Sequence, residues 1–273
     1  MRLGVVVNPR GIPPGTTVID QLCRFSEKIE ALDFHGIWLA DAFGRGRVSL
    51  DPYSALGVVC AATRKIEIGT CIIQVPIRHP VEHAHRVQSI NLLSNGRFSF
   101  GIGTGSTKAD FDVVQADFDT RFKVFPGMID IMKRTWRGEP VYGPALTVWP
   151  GTEGGPRVLL GAWHSPRSIK LAASLDGWIS SGIHSSWDDV ETGVRMYRDA
   201  GGKRAVIANV YADFRPDADA TPTGRKLSIS LIGITKAEAK DRLKRLADLG
   251  VDDAVIGCPF DDVSQLETIR GLI

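Results

Sequence analysis

Along the chain, short apolar runs alternate with longer segments of helical period. Leu3 to Val7 is an apolar run of strand length. The segment Thr17 to Leu32 then repeats apolar residues at Val18, Leu22, Phe25, Ile29 and Leu32, the spacing of one helix face. Strands are predicted at Gly36 to Ala40, Ile66 to Ile73, Arg97 to Gly103, Arg157 to Gly161, Gly177 to Ser180, Ala205 to Tyr211 and Ala254 to Gly257, with a further apolar run from Ser228 to Ile234. Helices are predicted between them at Pro52 to Ala62, Pro80 to Leu93, Phe122 to Trp136, Ser168 to Leu175, Asp188 to Ala200, Lys236 to Leu249 and Val263 to Leu272. Pro80 suits a first helical position, with His79 at its cap.

Repeated β-α-β units imply parallel strands covered by helices, either closed into a barrel or opened as a doubly wound sheet. About eight repeats favour a single α/β domain over residues 1–273, a (β/α)8 TIM-type barrel. Two stretches break the rhythm and read as insertions: Gly138 to Pro156, rich in Gly and Pro, and Arg215 to Arg225, rich in Asp, Pro and Thr.

The composition narrows the function classes. Hydrophobic residues make up 43% of 273 and charged residues 23%, ordinary for a globular chain with a sizeable core. A net charge of +2 argues against a broad nucleic-acid footprint. Four cysteines without a C-x-x-C pair point to reduced thiols, not to a disulfide framework or structural zinc. The N-terminal apolar run reaches Asn8-Pro9-Arg10 too soon for a signal peptide, and no run is long enough to span a bilayer. The expected location is the cytoplasm.

A parallel barrel carries its site at the C-terminal strand ends. The residues placed there are Asn8, Asp41, Gln74 to His79, Gly103 to Ser106, Ala162 to Ser165, Ser180 to Gly182 and Cys258. No lysine stands among them, against a Schiff-base enzyme. Gly101-Ile-Gly-Thr-Gly105 is not the dinucleotide fingerprint, and Ser106 to Thr120 has no clear apolar helix behind it. It reads either as a tight turn or as close backbone approach to a flat ring. Ser165-Pro166 suits the N-cap and first position of a helix, where free N–H groups attract phosphate, aided by His164, Ser165 and Arg167. Simple capping is the alternative. His79-Pro-Val-Glu-His83 matches an inverted zinc-peptidase pattern, but Pro80 moves His79 off the face that two ligands must share. His83 and His85 read instead as helix-surface or interface residues. Asp41 reads as a turn cap or a contact for a cavity ligand. Arg121, Trp136, Trp163 and Trp178 read as pocket walls or core.

Taken in order, several segments resemble the bacterial luciferase-like monooxygenase family. They are Glu30 to Asp41, Asp51-Pro52-Tyr53, Ala61 to Thr70, Arg78-His79-Pro80, Leu93 to Gly105, Arg121-Phe122, Leu159 to Ala162 and Asp176-Gly177-Trp178. The resemblance implies a flavin or deazaflavin at the strand ends. Trp38-x-x-Asp41 and Gly69-Thr-Cys-Ile72 look most like members using the deazaflavin coenzyme F420, with FMN as the alternative. It further implies a non-proline cis peptide at Cys71–Ile72 backing the ring, with Asp41, Gln74, Gly103, Thr104, Gly105 and Ser106 at its edge. Ala162, Trp163, His164 and Ser165 would hold the phosphate-bearing tail. A homodimer and, for an FMN enzyme, a separate reductase come with the family. Ala42 and Ser106 depart from the histidine and glutamate that proton-transferring relatives carry, so no general base is assigned. Three readings follow: an F420-dependent oxidoreductase moving hydride to or from a small organic substrate, an FMN-dependent monooxygenase, or a non-catalytic flavin or deazaflavin carrier.

Overall fold

The computed structural model describes residues 1–7, 14–43, 45–46, 49–216, 218 and 229–273. Asn8 and most of the Arg215 to Arg225 insertion lie outside the described residues. Strand–helix alternation closes into a barrel of eight parallel strands: β1 (Arg2–Val7), β2 (Gly36–Leu39), β3 (Glu67–Thr70), β5 (Phe98–Gly103), β6 (Arg157–Gly161), β7 (Gly177–Ser181), β8 (Ala205–Asp213) and β10 (Asp253–Gly257). The pairing of β10 with both β1 and β8 completes the ring. β4 (Ile73–Gln74) continues β3 after a break and pairs with β5.

Helices α1 (Val18–Ala31), α2 (Pro52–Ala62), α3 (Pro80–Leu93), α5 (Arg121–Trp136), α6 (Pro166–Ala173), α7 (Trp187–Asp199), α8 (Lys236–Asp248) and α9 (Ser264–Arg270) surround the barrel. Their starts follow from capping chemistry. Asp51 and Pro52 begin α2, and Ser186/Asp189 and Thr235/Glu238 form reciprocal capping boxes on α7 and α8. The segment after the glycine-rich loop holds only α4 (Lys108–Val113), too short to carry an apolar stripe, in line with the expectation of no apolar helix there. Two expectations need correction. Of the 228–234 run, the described residues form the two-residue β9 (Leu231–Ile232), which pairs in parallel with the end of β8 beyond the barrel. His83 is fully buried, not on the surface: Tyr53 Oη lies 2.5 Å from its Nε2, and burial pushes its pKa down to about 3. His79 packs instead against Tyr142, ring centroids 5.6 Å apart.

Inside the barrel, Val6, Trp38, Cys71, Leu159, Ile179, Val206, Ala208 and Val255 form a cluster separate from the core under the helices. Trp38 fits because Gly69 lacks a side chain; a Cβ there would come within 2.3 Å of the indole. Below this cluster, at the N-terminal strand ends, lies a buried ionic network. Arg204 donates to both oxygens of Glu67 at 2.7 Å and to Asp253 at 2.7 Å; Ser99 and His35 also face Glu67. Burial works against the Glu67 charge, but these donors win and hold its carboxyl far below the usual range. Such a carboxylate stabilises the fold above its unfolded pKa of about 4.3 and loses that contribution as pH falls. Urea midpoints of wild type are therefore expected to hold from pH 6 to about 4.3 and to fall progressively below it. Glu67→Gln should flatten that decline and cost about 3 kcal/mol at pH 7, the loss expected on breaking a buried pair.

Candidate active site

The C-terminal mouth of the barrel holds a cavity of about 530 Å³. Its floor is made where the third strand breaks. The Cys71–Ile72 peptide is cis. Ile72 lies over β5 and β6, where Cβ atoms on Gly103 and Gly161 would come within 2.8 and 2.4 Å of its side chain. Ile72 also packs on the inner cluster, so it caps that cluster and presents an apolar face to the cavity. Burial pushes the thiol of Cys71 up to about 12, which keeps it protonated and inert.

Asp41 follows β2 and is 5% exposed. Its Oδ2 accepts from Gln74 N at 3.0 Å and Arg78 Nη1 at 2.6 Å, and its Oδ1 accepts from Arg78 Nη2 at 2.9 Å. The bidentate pair ties the end of β2 to the segment after the cis bond and commits the carboxylate. Asp41 is thus a clamp on the strand-three break, and it also lines the cavity, where the reading of it as a contact for a cavity ligand still applies.

A second clamp was not legible in the sequence. Asp110, on α4, is fully buried and accepts from Arg45 Nε at 3.0 Å and Nη2 at 2.6 Å, from Gln74 Nε2 at 2.8 Å and from Phe43 N at 3.1 Å. Burial opposes its charge, yet the Arg45 and Gln74 donors hold its carboxyl below the usual range. A carboxylate only accepts, so Gln74 must turn its NH2 toward Asp110. That leaves Gln74 Oε1 buried without a partner at the cavity edge. A Cβ on Gly105 would lie 2.6 Å from it; the glycine, at φ +80°, keeps this acceptor clear.

Two more arginines line the cavity, one at the start of α5 and one at the start of α6. Ser165 caps α6, accepting from Ser168 N at 3.3 Å, and Pro166 takes the first position, as expected. Trp178 Nε1 donates to Ala162 O at 2.9 Å and fixes the turn before it. Arg167 and Ser168 line the cavity beside this helix start. Arg121, at the start of α5, donates to Gly105 O and Phe118 O and stacks 3.5 Å from the Phe118 centroid. Among the described residues, neither Arg121 nor Arg167 has an acidic partner. Among the described residues, the one acid lining the cavity, Asp41, is already neutralised by Arg78.

Of the residues singled out from the sequence, Asp41, Cys71, Ile72, Gln74, Gly103, Thr104, Gly105, Ser106, Ala162, Trp163 and Ser165 line this one cavity. His164 does not: its ring turns to α7, with Nε2 3.7 Å from Asp189. Trp136 and Trp178 are core, whereas Arg121 and Trp163 are wall and rim. Arg45, Asp110, Asn209 and Tyr211 were missed. Asn209 had one available signal, an amide inside an otherwise apolar run.

A chain with this barrel and mouth has many relatives. A crystal structure of monooxygenase RslO1 from Streptomyces bottropensis superposes over 100% of this chain and 98% of its own, with a TM-score of 0.85 at 19% identity. The oxygenating constituent of 3,6-diketocamphane monooxygenase from Pseudomonas putida, in complex with FMN, gives 0.74 at 14% over 99% and 96%. The coenzyme F420 dependent tetrahydromethanopterin reductase from Methanopyrus kandleri gives 0.75 at 15% over 100% and 98%. In sequence, the alkanal monooxygenase alpha chain of the Kryptophanaron alfredi symbiont is 27% identical over 173 residues, 52% of this chain and 48% of that one, so the chain spans about half its length. The model of the luciferase-like monooxygenase family matches residues 1–209, which include every cavity-lining residue except Tyr211. The chain belongs to the luciferase-like monooxygenase family.

Proposed function

We propose that this protein is an FMN-dependent monooxygenase acting on a small organic substrate. The observation that carries this reading is the charge of the cavity. With Asp41 held by Arg78 and Arg45 by Asp110, two cavity-lining guanidinium groups have no acidic partner among the described residues: Arg121 at the start of α5 and Arg167 at the start of α6. A terminal phosphate monoester, carrying about −1.5 to −2 near pH 7, balances that pair. The rest of the cavity suits the ring. Ile72 offers an apolar face, glycines at 103 and 161 make room for its side chain, and Gln74 brings to the lining a carboxamide whose Oε1 has no partner among the described residues. Reduced FMN, delivered by a separate reductase, supplies the electrons for oxygen insertion when bound. The chain's own residues position it. Arg121 and Arg167 hold the tail, Asp110 aims the Gln74 amide, and Asp41 with Arg78 holds the floor in place.

F420 is the second reading. Arg167 stands exposed at the mouth, where a longer tail has room to leave, and the Trp38-x-x-Asp41 segment supports this branch. Titration of apoprotein with FMN, riboflavin and F420, followed by ring fluorescence and visible absorbance, separates the two. FMN should bind about tenfold or more tighter than riboflavin, the difference a charge-assisted phosphate contact makes. Arg121→Ala and Arg167→Ala should each remove about tenfold for FMN and leave riboflavin unchanged. Tighter binding of F420 than of FMN would overturn the first reading. Binding of FMN without oxygen consumption across a substrate panel would favour a carrier.

A further inference from the structure

β8 contains an extra residue. Val206 and Ala208 face the interior cluster, while Ile207, Val210 and Ala212 belong to the outer core. Strict alternation would send residue 209 outward and residue 210 inward. Instead, the register against β10 slips between Val255 and Ile256, and Asn209 adopts φ +59°. Asn209 is therefore the inserted residue of a β-bulge, in a backbone conformation that asparagine tolerates better than most residues. The bulge has two effects. It aims the Asn209 side chain at the cavity, where among the described residues the carboxamide has no hydrogen-bond partner. It also shifts the phase so that Tyr211 lines the cavity, its ring lying on β10, where a Cβ on Gly257 would come within 2.8 Å.

The rim above is aromatic and half-exposed: Phe122 at 55% and Trp163 at 54% both line the cavity. Large exposed rings around a concavity mark a surface that buries an apolar occupant. Charge excludes much else. Among the described residues no lysine lines the cavity, Arg45 is committed to Asp110, and Arg121 and Arg167 are assigned above to phosphate. Asp41 is held by Arg78, so among these residues no free carboxylate awaits an amine.

We propose that Asn209 is a specificity-determining residue, and that the substrate is an uncharged, mostly apolar ring compound held through one carbonyl or hydroxyl oxygen. The carboxamide both donates and accepts, which matches either oxygen function. Phe122 and Trp163 take the apolar faces. The proposal rests on the reading that a flavin occupies the floor beneath.

The test uses calorimetric titration of the intact protein, with and without saturating FMN, by 2-naphthol and by 2-naphthoate. The variants are Asn209→Gly, which keeps the positive φ and removes the amide, and Asn209→Asp, which keeps shape and backbone and introduces a carboxylate. With FMN saturating, so that Arg121 and Arg167 are taken up by its phosphate, wild type should bind 2-naphthol at least tenfold tighter than 2-naphthoate. Asn209→Gly should weaken 2-naphthol about fivefold, the worth of one hydrogen bond, and leave FMN affinity within twofold. Asn209→Asp should keep binding of 2-naphthol and widen the discrimination against 2-naphthoate. Equal binding of 2-naphthol by wild type and Asn209→Gly, preference for the carboxylate, or no binding of 2-naphthol at millimolar concentration would each overturn the proposal. FMN affinity, read separately by flavin fluorescence, reports the fate of the reading beneath it. Loss of that reading with the naphthol pattern intact would leave Asn209 as a recognition residue of a differently occupied cavity.

Discussion

Asp41→Ala is expected to destabilise the protein by about 3–5 kcal/mol and to weaken FMN binding more than tenfold. The carboxylate takes two hydrogen bonds from Arg78, whose side chain is only 10% exposed, and one from Gln74 N. Its removal leaves a nearly buried guanidinium without a counter-charge and a buried N–H without an acceptor. The pair raises the Arg78 pKa against the pull of burial, so the arginine cannot escape by losing its proton. A second variant separates the structural loss from the functional one. Asp41→Ala with Arg78→Met removes both charges, and stability should largely return, because deleting both partners of a buried pair costs far less than deleting one. FMN binding should not return with it, since the carboxylate that joins the end of β2 to Gln74 N and Arg78 is gone, and only the Cys71 N–Leu39 O bond and the Asp110 clamp remain at the strand-three break. Urea unfolding and flavin titration of both variants decide this. Full recovery of binding in the double variant would show that the clamp has no role in holding the cofactor.

The second large effect is expected at Gly101. A Cβ on this residue would sit 1.8 Å from the Thr70 carbonyl oxygen and 2.7 Å from Ile179 Cδ1. The first neighbour is backbone, on the strand that ends in the cis bond, and Thr70 Oγ1 reaches back to donate to Gly101 O at 2.8 Å. A flexible side chain could move aside; this carbonyl cannot without separating β3 from β5. Gly101→Ala should therefore cost more than about 4 kcal/mol or fail to fold. Gly57→Ala is the matched control. No atom lies within 4 Å of its added methyl, and it sits inside α2, so it should be neutral or stabilising by up to about 1 kcal/mol.

What the sequence disclosed followed from whether its signals were local. α2 and α3 begin and end where expected, because Asp51-Pro52 and His79-Pro80 are short-range instructions to the backbone. The helix start at Ser165-Pro166 was legible for the same reason. The cis bond at Cys71–Ile72 came from the family resemblance alone; nothing in the apolar run Ile66 to Ile73 marks its interruption. Asp110 was illegible because its partners, Arg45 and Gln74, stand 65 and 36 residues away and α4 is too short to show a period. His83 was misplaced because a histidine is written as polar, whereas Tyr53 satisfies its Nε2 inside the core. The bulge at Asn209 left the composition of β8 unchanged and altered only which residues face inward.

The ionic network of Glu67, Arg204 and Asp253 has one more consequence. Together with the packed cluster above it, it stoppers the barrel at the N-terminal strand ends, so among the described residues the cavity opens at the opposite end, the C-terminal mouth. On the proposed reading, the ring on Ile72 arrives before the substrate above it and departs after it. Traffic through the site is last in, first out: the sequence of arrivals and departures is written into the shape of the vessel.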